Sequence, residues 1–322
     1  MNKENVIVIG GGPCGLAAAI ALKEKGIEPL VIEKGNIVNA IYHYPTHQTF
    51  FSSSEKLEIG GIPFITENRK PHRIQALSYY REVVRRSDLK IHAFEKVEEV
   101  VKDGTEFIVG TSKDTYRAKY IVIATGYYDH PNYMNIPGEE LPKVYHYFKE
   151  GHPFFDKDVV VVGGKNSSVD AALELVHAGA RVTVIYRGAQ YSPSVKPWIL
   201  PEFDALVRNG TIKMEFQSLL TQITEETVTY EVNCAEEKTI KNDFVFAMTG
   251  YHPDHSFLTK MGVHIDHASG RPAFSEETME TNAEGIYIAG VIAAGNNANE
   301  IFIENGRFHG GLLAKHIAEK MK

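Results

Sequence analysis

The clearest pattern along the chain is a short apolar run that leads into glycines and then into a helix. Val6–Ile9 are four β-favouring residues, the segment 10–15 is rich in glycine, and Leu16–Lys23 favours a helix. This order predicts a buried strand, a tight turn and a helix. A second apolar run over residues 28–32 ends at Glu33, so the chain is predicted to begin with a βαβ unit.

The same pattern returns in the middle of the chain. The elements of this second copy are a strand at Asp158–Val162, a loop at 163–168, a helix at Val169–His177 and a strand at Arg181–Arg187. Each copy is followed by a further buried strand that ends in Thr-Gly, at Gly126 and at Gly250. An internal repeat of this kind predicts two dinucleotide-binding folds. We therefore expect an α/β protein with two Rossmann-like domains.

The spacing of the glycines in the first copy indicates which kind of ligand it binds. Gly10, Gly12 and Gly15 match the G-x-G-x-x-G pattern, in which the glycines allow a tight turn, close approach to a pyrophosphate and helix–strand packing. The N-terminus of the following helix attracts phosphate, and a carboxylate at Glu33 suits a ribose hydroxyl. A flavin or nicotinamide dinucleotide is the predicted ligand.

The second copy departs from this pattern at three places. Lys165 and Ser168 replace the second and third glycines, and Tyr186-Arg187 stand where the first copy has an acid. An arginine at this position suits the 2′-phosphate of NADP, whereas an acid suits a free ribose hydroxyl. The alternative is that Arg187 is a solvated charge at a strand end.

The segments outside the two copies give weaker signals. Residues 34–71 form a long, poorly periodic stretch with aromatic and hydroxyl residues, read either as a flavin-wrapping loop or as a surface excursion. A helix is predicted at Ile74–Ser87, and short strand signals between Lys90 and Arg117 predict a β-meander. The tail is predicted to contain a strand at Gly285–Val291 and one helix at Glu300–Lys320.

Composition and charge narrow the function. The net charge of −7 argues against nucleic acid and against an anionic membrane surface as partners. No apolar stretch is long enough to span a membrane, and the early first strand leaves no room for a signal peptide. Cys14 and Cys234 are the only cysteines, so we expect a cytoplasmic protein without disulfides. The spacing of histidines and cysteines predicts no metal site.

Five motifs carry a resemblance to a known family. They are Gly-Gly-Gly-Pro-Cys-Gly at 10–15, the segment Tyr42–Phe51, Ala-Thr-Gly-Tyr-Tyr at 124–128, the segment Gly163–Asp170 and the segment Tyr191–Trp198. Together they resemble the bacillithiol disulfide reductase family (the YpdA type), among the flavoprotein reductases that are similar to thioredoxin reductase. The resemblance implies FAD, NADPH and a single catalytic thiol in the FAD loop, here Cys14. It also implies that the FAD domain (1–127 and 248–322) is split around an NADPH domain (128–247).

The cofactor contacts follow from the motifs and this resemblance. For FAD they are Gly10, Gly12, Pro13, Cys14, Gly15, Glu33, Lys34, Gln48, Thr49, Val97, Ala124, Thr125, Gly126 and Gly290. For NADPH they are Gly164, Lys165, Asn166, Ser167, Ser168 and Arg187. The superfamily's Gly-Asp in the tail is Gly290-Val291 here.

The predicted reaction passes electrons from NADPH through FAD to a low-molecular-weight disulfide, with bacillithiol disulfide as the substrate that the resemblance implies. A homo-oligomer is expected, with the number of subunits left open. Cys14 is read either as the attacking thiol or as a small packed residue; a helix N-terminus lowers its pKa and a nearby pyrophosphate raises it. Two other functions stay open: a ferredoxin or flavodoxin–NADP reductase, which needs no cysteine, and a flavin-holding redox sensor without turnover.

Overall fold

The computed structural model describes residues 2–297 and 299–322. The strands are β1 (Asn2–Ile9), β2 (Pro29–Glu33), β3 (Lys90–Ala93), β4 (Val97–Asp103), β5 (Glu106–Thr111), β6 (Thr115–Ile123), β7 (Val144–Tyr145), β8 (Asp158–Val162), β9 (Arg181–Ile185), β10 (Ile212–Glu215), β11 (Ser218–Ile223), β12 (Thr227–Val232), β13 (Glu236–Lys241), β14 (Phe244–Ala247) and β15 (Ile286–Ile288). The α-helices are α1 (Pro13–Glu24), α2 (Asn39–Tyr42), α3 (Ser54–Leu57), α4 (Arg73–Arg86), α5 (Asn166–His177), α6 (Leu200–Arg208), α7 (His255–Lys260), α8 (Ile303–Gly306) and α9 (His309–Lys320). Within these residues, no helix combines the length and the apolar character needed to cross a membrane.

The chain divides into two compact units. Unit 1 comprises Met1–His43, Gln48–His130 and Tyr251–Lys322, and unit 2 comprises Tyr44–His47 and Pro131–Gly250. The domain boundaries expected from the sequence, after residues 127 and 247, lie three residues before the two later junctions. The grouping of Tyr44–His47 with unit 2 has no counterpart in the sequence analysis; within unit 2, the N–H of Thr46 donates to the carbonyl of Lys149 at 2.8 Å.

Unit 1 is built on a mixed sheet with the order β3-β2-β1-β6-β5-β4, and β15 also pairs with β6. Strands β1, β2, β3 and β15 run parallel to their neighbours, whereas β4 and β5 are antiparallel to each other and β5 is antiparallel to the first half of β6. The expectation that Lys90–Phe94 belongs to the meander was wrong. Because α4 carries the chain back across the sheet, this segment becomes a parallel strand beside β2.

The core of unit 1 is formed by the buried strands β1, β2, β6 and β15 together with α1 and α9, which pack closely against each other. A Cβ on Gly310 would lie 2.8 Å from the Cα of Ala18, so small residues on both helices permit this close crossing. The prediction of a single helix at Glu300–Lys320 was wrong, because the helical structure is interrupted between α8 and α9. Arg307 lies at this break, where its Nη1 donates to the carbonyl of Glu55 at 3.0 Å.

Unit 2 contains a parallel sheet with the order β10-β9-β8-β14-β7 and a separate antiparallel sheet, β11-β12-β13. The orders β3-β2-β1 and β10-β9-β8 are the same, as expected for two Rossmann-like units. Helix α5 begins at Asn166, three residues before the predicted start. The segment 166–168 therefore forms the first turn of a helix and not part of the loop.

Candidate cofactor sites

The glycine loop of unit 1 connects β1 to α1 through a turn that requires glycine. Gly10 has a φ of +110°, and a Cβ there would lie 2.4 Å from the carbonyl oxygen of Ala124. A Cβ on Gly15 would lie 2.0 Å from the carbonyl oxygen of Gly10. The N–H of Gly10 donates to the carbonyl of Ile32, and that of Ala124 donates to Ile9. The loop is thus fixed between the ends of β2 and β6.

Gly12 and Pro13 leave the N-terminus of α1 open. Gly12 is the N-cap residue and Pro13 is the first helical residue. A Cβ on Gly12 would meet no described heavy atom within 4 Å. The N–H groups of the first turn carry a partial positive charge, and the space beside Gly12 lets a ligand approach them. This geometry fits a pyrophosphate group.

The carboxylate of Glu33 joins the loop to the residues that follow β2. Its Oε2 accepts the N–H of Gly11 at 2.7 Å, and its Oε1 accepts the N–H of Gly35 at 2.8 Å. Glu33 is only 7% exposed. Burial raises its pKa, although both backbone hydrogen bonds act in the opposite direction. Each oxygen keeps a second acceptor position for a ribose hydroxyl. Lys34 forms an ion pair with Asp129 at 3.0 Å.

The turn after β6 places a buried hydroxyl beside the loop. The backbone nitrogen of Thr125 lies 3.2 Å from the position of a Cβ on Gly10. Among the residues that the structure describes, no hydrogen-bond partner reaches the buried Oγ1 of Thr125. Gly126 follows with a φ of +70°. Because buried hydroxyls are nearly always paired, this orphan group fits a polar ligand at the loop.

The turn after β15 packs directly on Cys14. A Cβ on Gly290 would lie 2.9 Å from the Cβ of Cys14, and one on Gly306 would lie 3.0 Å from its Sγ. The N–H of Gly290 donates to Nδ1 of His309 at 3.2 Å, and burial lowers the pKa of this histidine. His309 could not be identified from the sequence, because no motif links it to a turn that precedes it by 19 residues.

These contacts lie against the thiol of Cys14, and the residue as a whole is partly buried. Desolvation raises the pKa of Cys14 to about 12. A thiol with this pKa is protonated at neutral pH, whereas the nucleophile in disulfide exchange is the thiolate. The sequence predicts opposing effects of a helix N-terminus and a phosphate on this pKa, whereas the cause of the raised pKa in the structure is desolvation. Cys234 is exposed and lies in unit 2.

Three predicted FAD contacts lie further along unit 1. Nε2 of Gln48 donates to the carbonyl of Thr49 at 2.7 Å, and Oγ1 of Thr49 lies 3.0 Å from Nδ1 of His72. Both residues are therefore held at the start of α4. Val97 is buried at the start of β4 and pairs with β5. The hydrogen bonds described for these three residues do not connect them to the glycine loop.

The glycine loop of unit 2 repeats the first turn of the loop in unit 1. Gly163 has a φ of +137°, and a Cβ there would lie 2.6 Å from the carbonyl oxygen of Met248. Lys165 is the N-cap of α5, and its carbonyl accepts the hydroxyl of Ser168 at 2.7 Å. Ser168 is tolerated at the third glycine position because its hydroxyl is satisfied within this first turn. The side chain of Lys165 is exposed.

Asn166 connects the loop of unit 2 to the segment Tyr191–Trp198. Its Nδ2 donates to the carbonyl of Ser194 and its Oδ1 accepts the N–H of Lys196, each at 2.9 Å. Ser167 is exposed beside it in the same turn. The structure thus brings two motifs of the family resemblance together, a contact that spacing alone did not predict.

Tyr186 and Arg187 follow β9 and correspond to Glu33, the last residue of β2, and to Lys34. A Cβ on Gly164 would lie 2.4 Å from Cδ2 of Tyr186, so the tyrosine ring lies against the loop. Arg187 is exposed, and within residues 2–297 and 299–322 its guanidinium has no hydrogen-bond or ion-pair partner. An unpaired arginine beside a helix N-terminus fits a phosphate group.

Comparisons with known proteins give consistent results. The model of the pyridine nucleotide-disulphide oxidoreductase family matches residues 7–290. Bacilliredoxin reductase Bdr of Bacillus subtilis (strain 168) is 71% identical over 321 residues, which are 99% of each chain. The structure of bacillithiol disulfide reductase Bdr (YpdA) from Bacillus cereus is similar with a TM-score of 0.98 and 73% identity, over 99% of this chain and 100% of that one.

A more distant structure supports the fold. Thioredoxin reductase from T. acidophilum is similar with a TM-score of 0.78 and 23% identity, over 100% of this chain and 99% of that one. The predicted α/β class with two Rossmann-like folds is therefore confirmed. The chain belongs to the pyridine nucleotide-disulphide oxidoreductase family and, within it, to the group of the bacillithiol disulfide reductases.

Proposed function

We propose that this protein oxidises NADPH and reduces a low-molecular-weight disulfide through a bound FAD, with bacillithiol disulfide as its substrate. One NADPH donates a hydride, and this hydride and one proton supply the two electrons and two protons that convert one disulfide into two thiols. The name of the relative from Bacillus cereus, which shares 73% of the sequence, supports this substrate. FAD supplies the group that accepts a hydride and passes on two electrons.

The observation that carries the proposal is the difference between the two acid positions. Unit 1 has Glu33, whose carboxylate suits the free ribose hydroxyls of FAD. Unit 2 has Tyr186 and the exposed Arg187, which suit a nucleotide with a 2′-phosphate. The two copies of the fold are thus specialised for different dinucleotides.

Unit 1 is therefore the FAD domain and unit 2 the NADPH domain in this proposal. FAD is held by the loop 10–15, by Glu33 and Lys34, by the turn 124–126 and by Gly290, with Gln48, Thr49 and Val97 as further contacts. NADPH is held by the loop and first helical turn at 164–168 and by Arg187. We also place the enzyme in the cytoplasm, where its two free cysteines stay reduced, and expect a homo-oligomer.

The role of Cys14 remains a prediction. As the attacking thiol it would form a mixed disulfide with one half of the substrate and release the other half as a thiol. The contacts of Gly290 and Gly306 with its side chain, and its raised pKa, work against this role in the present conformation. The same burial favours a second candidate function, a ferredoxin or flavodoxin–NADP reductase, because one-electron transfer from flavin needs no thiol.

The test is NADPH consumption by the FAD-loaded protein with either bacillithiol disulfide or flavodoxin as acceptor. We expect rapid reduction of the flavin by NADPH and turnover with the disulfide. Turnover with flavodoxin alone would support the second candidate, and flavin reduction without turnover on any acceptor would indicate a sensor. Cys14→Ala then separates the two roles of the thiol: loss of disulfide turnover with normal flavin reduction supports attack by Cys14, and unchanged turnover shows that it only packs.

A further inference from the structure

The two loops correspond residue by residue. Gly10 and Gly163 both have positive φ, and each donates its N–H to the end of the neighbouring strand, at Ile32 and Ile185. The N-cap position is Gly12 in unit 1 and Lys165 in unit 2. With this alignment, Glu33-Lys34-Gly35 at the end of β2 correspond to Tyr186-Arg187-Gly188 directly after β9. The same slot of the fold is therefore filled by a carboxylate in one unit and by an aromatic ring in the other.

In unit 1 this slot is polar. Glu33 accepts the N–H of Gly11 on one side and the N–H of Gly35 on the other, at 2.7 and 2.8 Å. Both backbone donors are thereby used by the protein itself, and the negative charge beside them repels a phosphate.

In unit 2 the slot is filled by the ring of Tyr186. A Cβ on Gly164 would lie 2.4 Å from Cδ2 of this ring, and a Cβ on Gly188 would lie 2.4 Å from its Cε1. The ring is thus held between two glycines, and any side chain at either position would collide with it. Across the part of the chain that the structure describes, no acceptor pairs with the N–H of Gly164 or of Gly188.

The backbone on both sides of Arg187 is held in place. Tyr186 donates its N–H to Glu215 at 2.9 Å and accepts the N–H of Ser218 at 3.0 Å. The carbonyl of Gly188 accepts the N–H of Gln217 at 2.9 Å. Arg187 therefore projects its unpaired guanidinium from a fixed position, directly before the unused N–H of Gly188.

We propose that Tyr186 is a specificity-determining residue of the NADPH site: its ring fills the slot that a carboxylate fills in unit 1, so that Arg187 and the N–H of Gly188 are available to the 2′-phosphate. This inference rests on the proposed NADPH site in unit 2. An explanation of the NADPH preference by Arg187 alone is different, because an arginine at 187 is compatible with a carboxylate at 186 that would occupy the slot.

The test is calorimetric binding of 2′,5′-ADP and 5′-AMP to the FAD-loaded protein, which requires no turnover. The variants are Tyr186→Glu, which rebuilds the arrangement of unit 1, and Tyr186→Phe, which keeps the ring. In wild type we expect 2′,5′-ADP to bind at least ten times more tightly than 5′-AMP. In Tyr186→Glu the ratio of the two affinities should fall by about 10- to 100-fold, and in Tyr186→Phe it should stay at the wild-type value.

The ratio of the two affinities distinguishes a change in specificity from misfolding, because a poorly folded site weakens the binding of both ligands to a similar degree. A wild-type ratio with Tyr186→Glu, in a protein that retains its melting temperature and binds both ligands, would overturn the inference while leaving the NADPH site in place. Should Tyr186→Glu fail to fold, Tyr186→Gln in the same assay takes its place: the amide oxygen accepts one of the two N–H groups, and an unchanged ratio would again overturn the inference. If wild type binds neither ligand, the proposed NADPH site itself is wrong.

Discussion

Substitution of Glu33 tests directly how much its carboxylate contributes to the stability of unit 1. Glu33→Ala removes the acceptor from the N–H groups of Gly11 and Gly35, which lie 2.7 and 2.8 Å from the carboxylate. A hydrogen bond to a charged group contributes about 1.5–3 kcal/mol net, so the two bonds amount to roughly 3–6 kcal/mol. Part of this is offset, because the carboxylate is desolvated and its pKa is raised. We expect the free energy of unfolding of the FAD-free protein to fall by about 2–4 kcal/mol.

Glu33→Gln supplies an intermediate case. The amide keeps one oxygen for one of the two N–H groups and turns its own N–H₂ toward the other, so we expect about half the loss. Lys34→Ala is the matched control, since its ion pair with Asp129 is solvent-exposed and contributes about 0.2–1 kcal/mol at most. Urea unfolding of the three FAD-free variants measures these differences.

The same variants test the ligand. If the Glu33 carboxylate binds a ribose hydroxyl of FAD, Glu33→Ala should weaken FAD binding by about 10- to 100-fold in a fluorescence titration. Unfolding of Glu33→Ala at the wild-type urea concentration would show that the carboxylate does not hold the loop. An unchanged FAD affinity in a folded variant would refute the ribose contact.

Three further predictions concern packing, thiol reactivity and pH. Gly15→Ala should destabilise unit 1 by about 1–3 kcal/mol or more in urea unfolding, because its Cβ would lie 2.0 Å from a backbone oxygen, whereas Gly311→Ala, with no described atom within 4 Å, should be neutral or stabilising. In the native protein at pH 8, a thiol reagent should modify the exposed Cys234 quickly and the partly buried Cys14 more slowly, because desolvation raises the pKa of the Cys14 thiol; equal labelling rates would contradict this expectation. Burial raises the pKa of Asp170 from 3.8 to about 6, so its contribution to stability is present below the lower value and is lost as the pH rises to the higher one. Asp170→Asn should remove this dependence from urea unfolding measured between pH 4 and 7, and an unchanged slope would show that the carboxylate is solvated.

Sequence reasoning succeeded best at the glycine motifs, where the backbone conformation restricts the residue type. The family, the α/β class, the enzyme class and the cofactors FAD and NADPH are confirmed by the comparisons. Gly10 and Gly163 could be identified because each has a positive φ and lies close to the backbone of a neighbouring strand. A residue with a side chain would be strained and would collide there. The individual site residues stay predictions, and so do the domain boundaries.

The errors arose where tertiary contacts decide the local structure. Lys90–Phe94 carries the same short-range signal as an antiparallel strand, and only the preceding helix α4 makes it parallel to β2. The break between α8 and α9 depends on contacts of Gly306 with Cys14 and of Arg307 with Glu55, which are distant in sequence. Local propensity over residues 300–320 therefore predicted one continuous helix.

The contacts that cover the Cys14 thiol are also distant in sequence, and they bear on the chemistry. The residues that cover its Sγ come from the far end of the chain, at Gly290 and Gly306, and both are glycines because any Cβ there would collide with Cys14. Attack on a disulfide requires a thiolate with a substrate sulfur beside it, and these contacts oppose both conditions. A route through Cys14 therefore requires the tail to separate from the loop, whereas a route from flavin to acceptor without the thiol requires no such movement. Movement of the tail away from the glycine loop therefore distinguishes the route through Cys14 from the direct route.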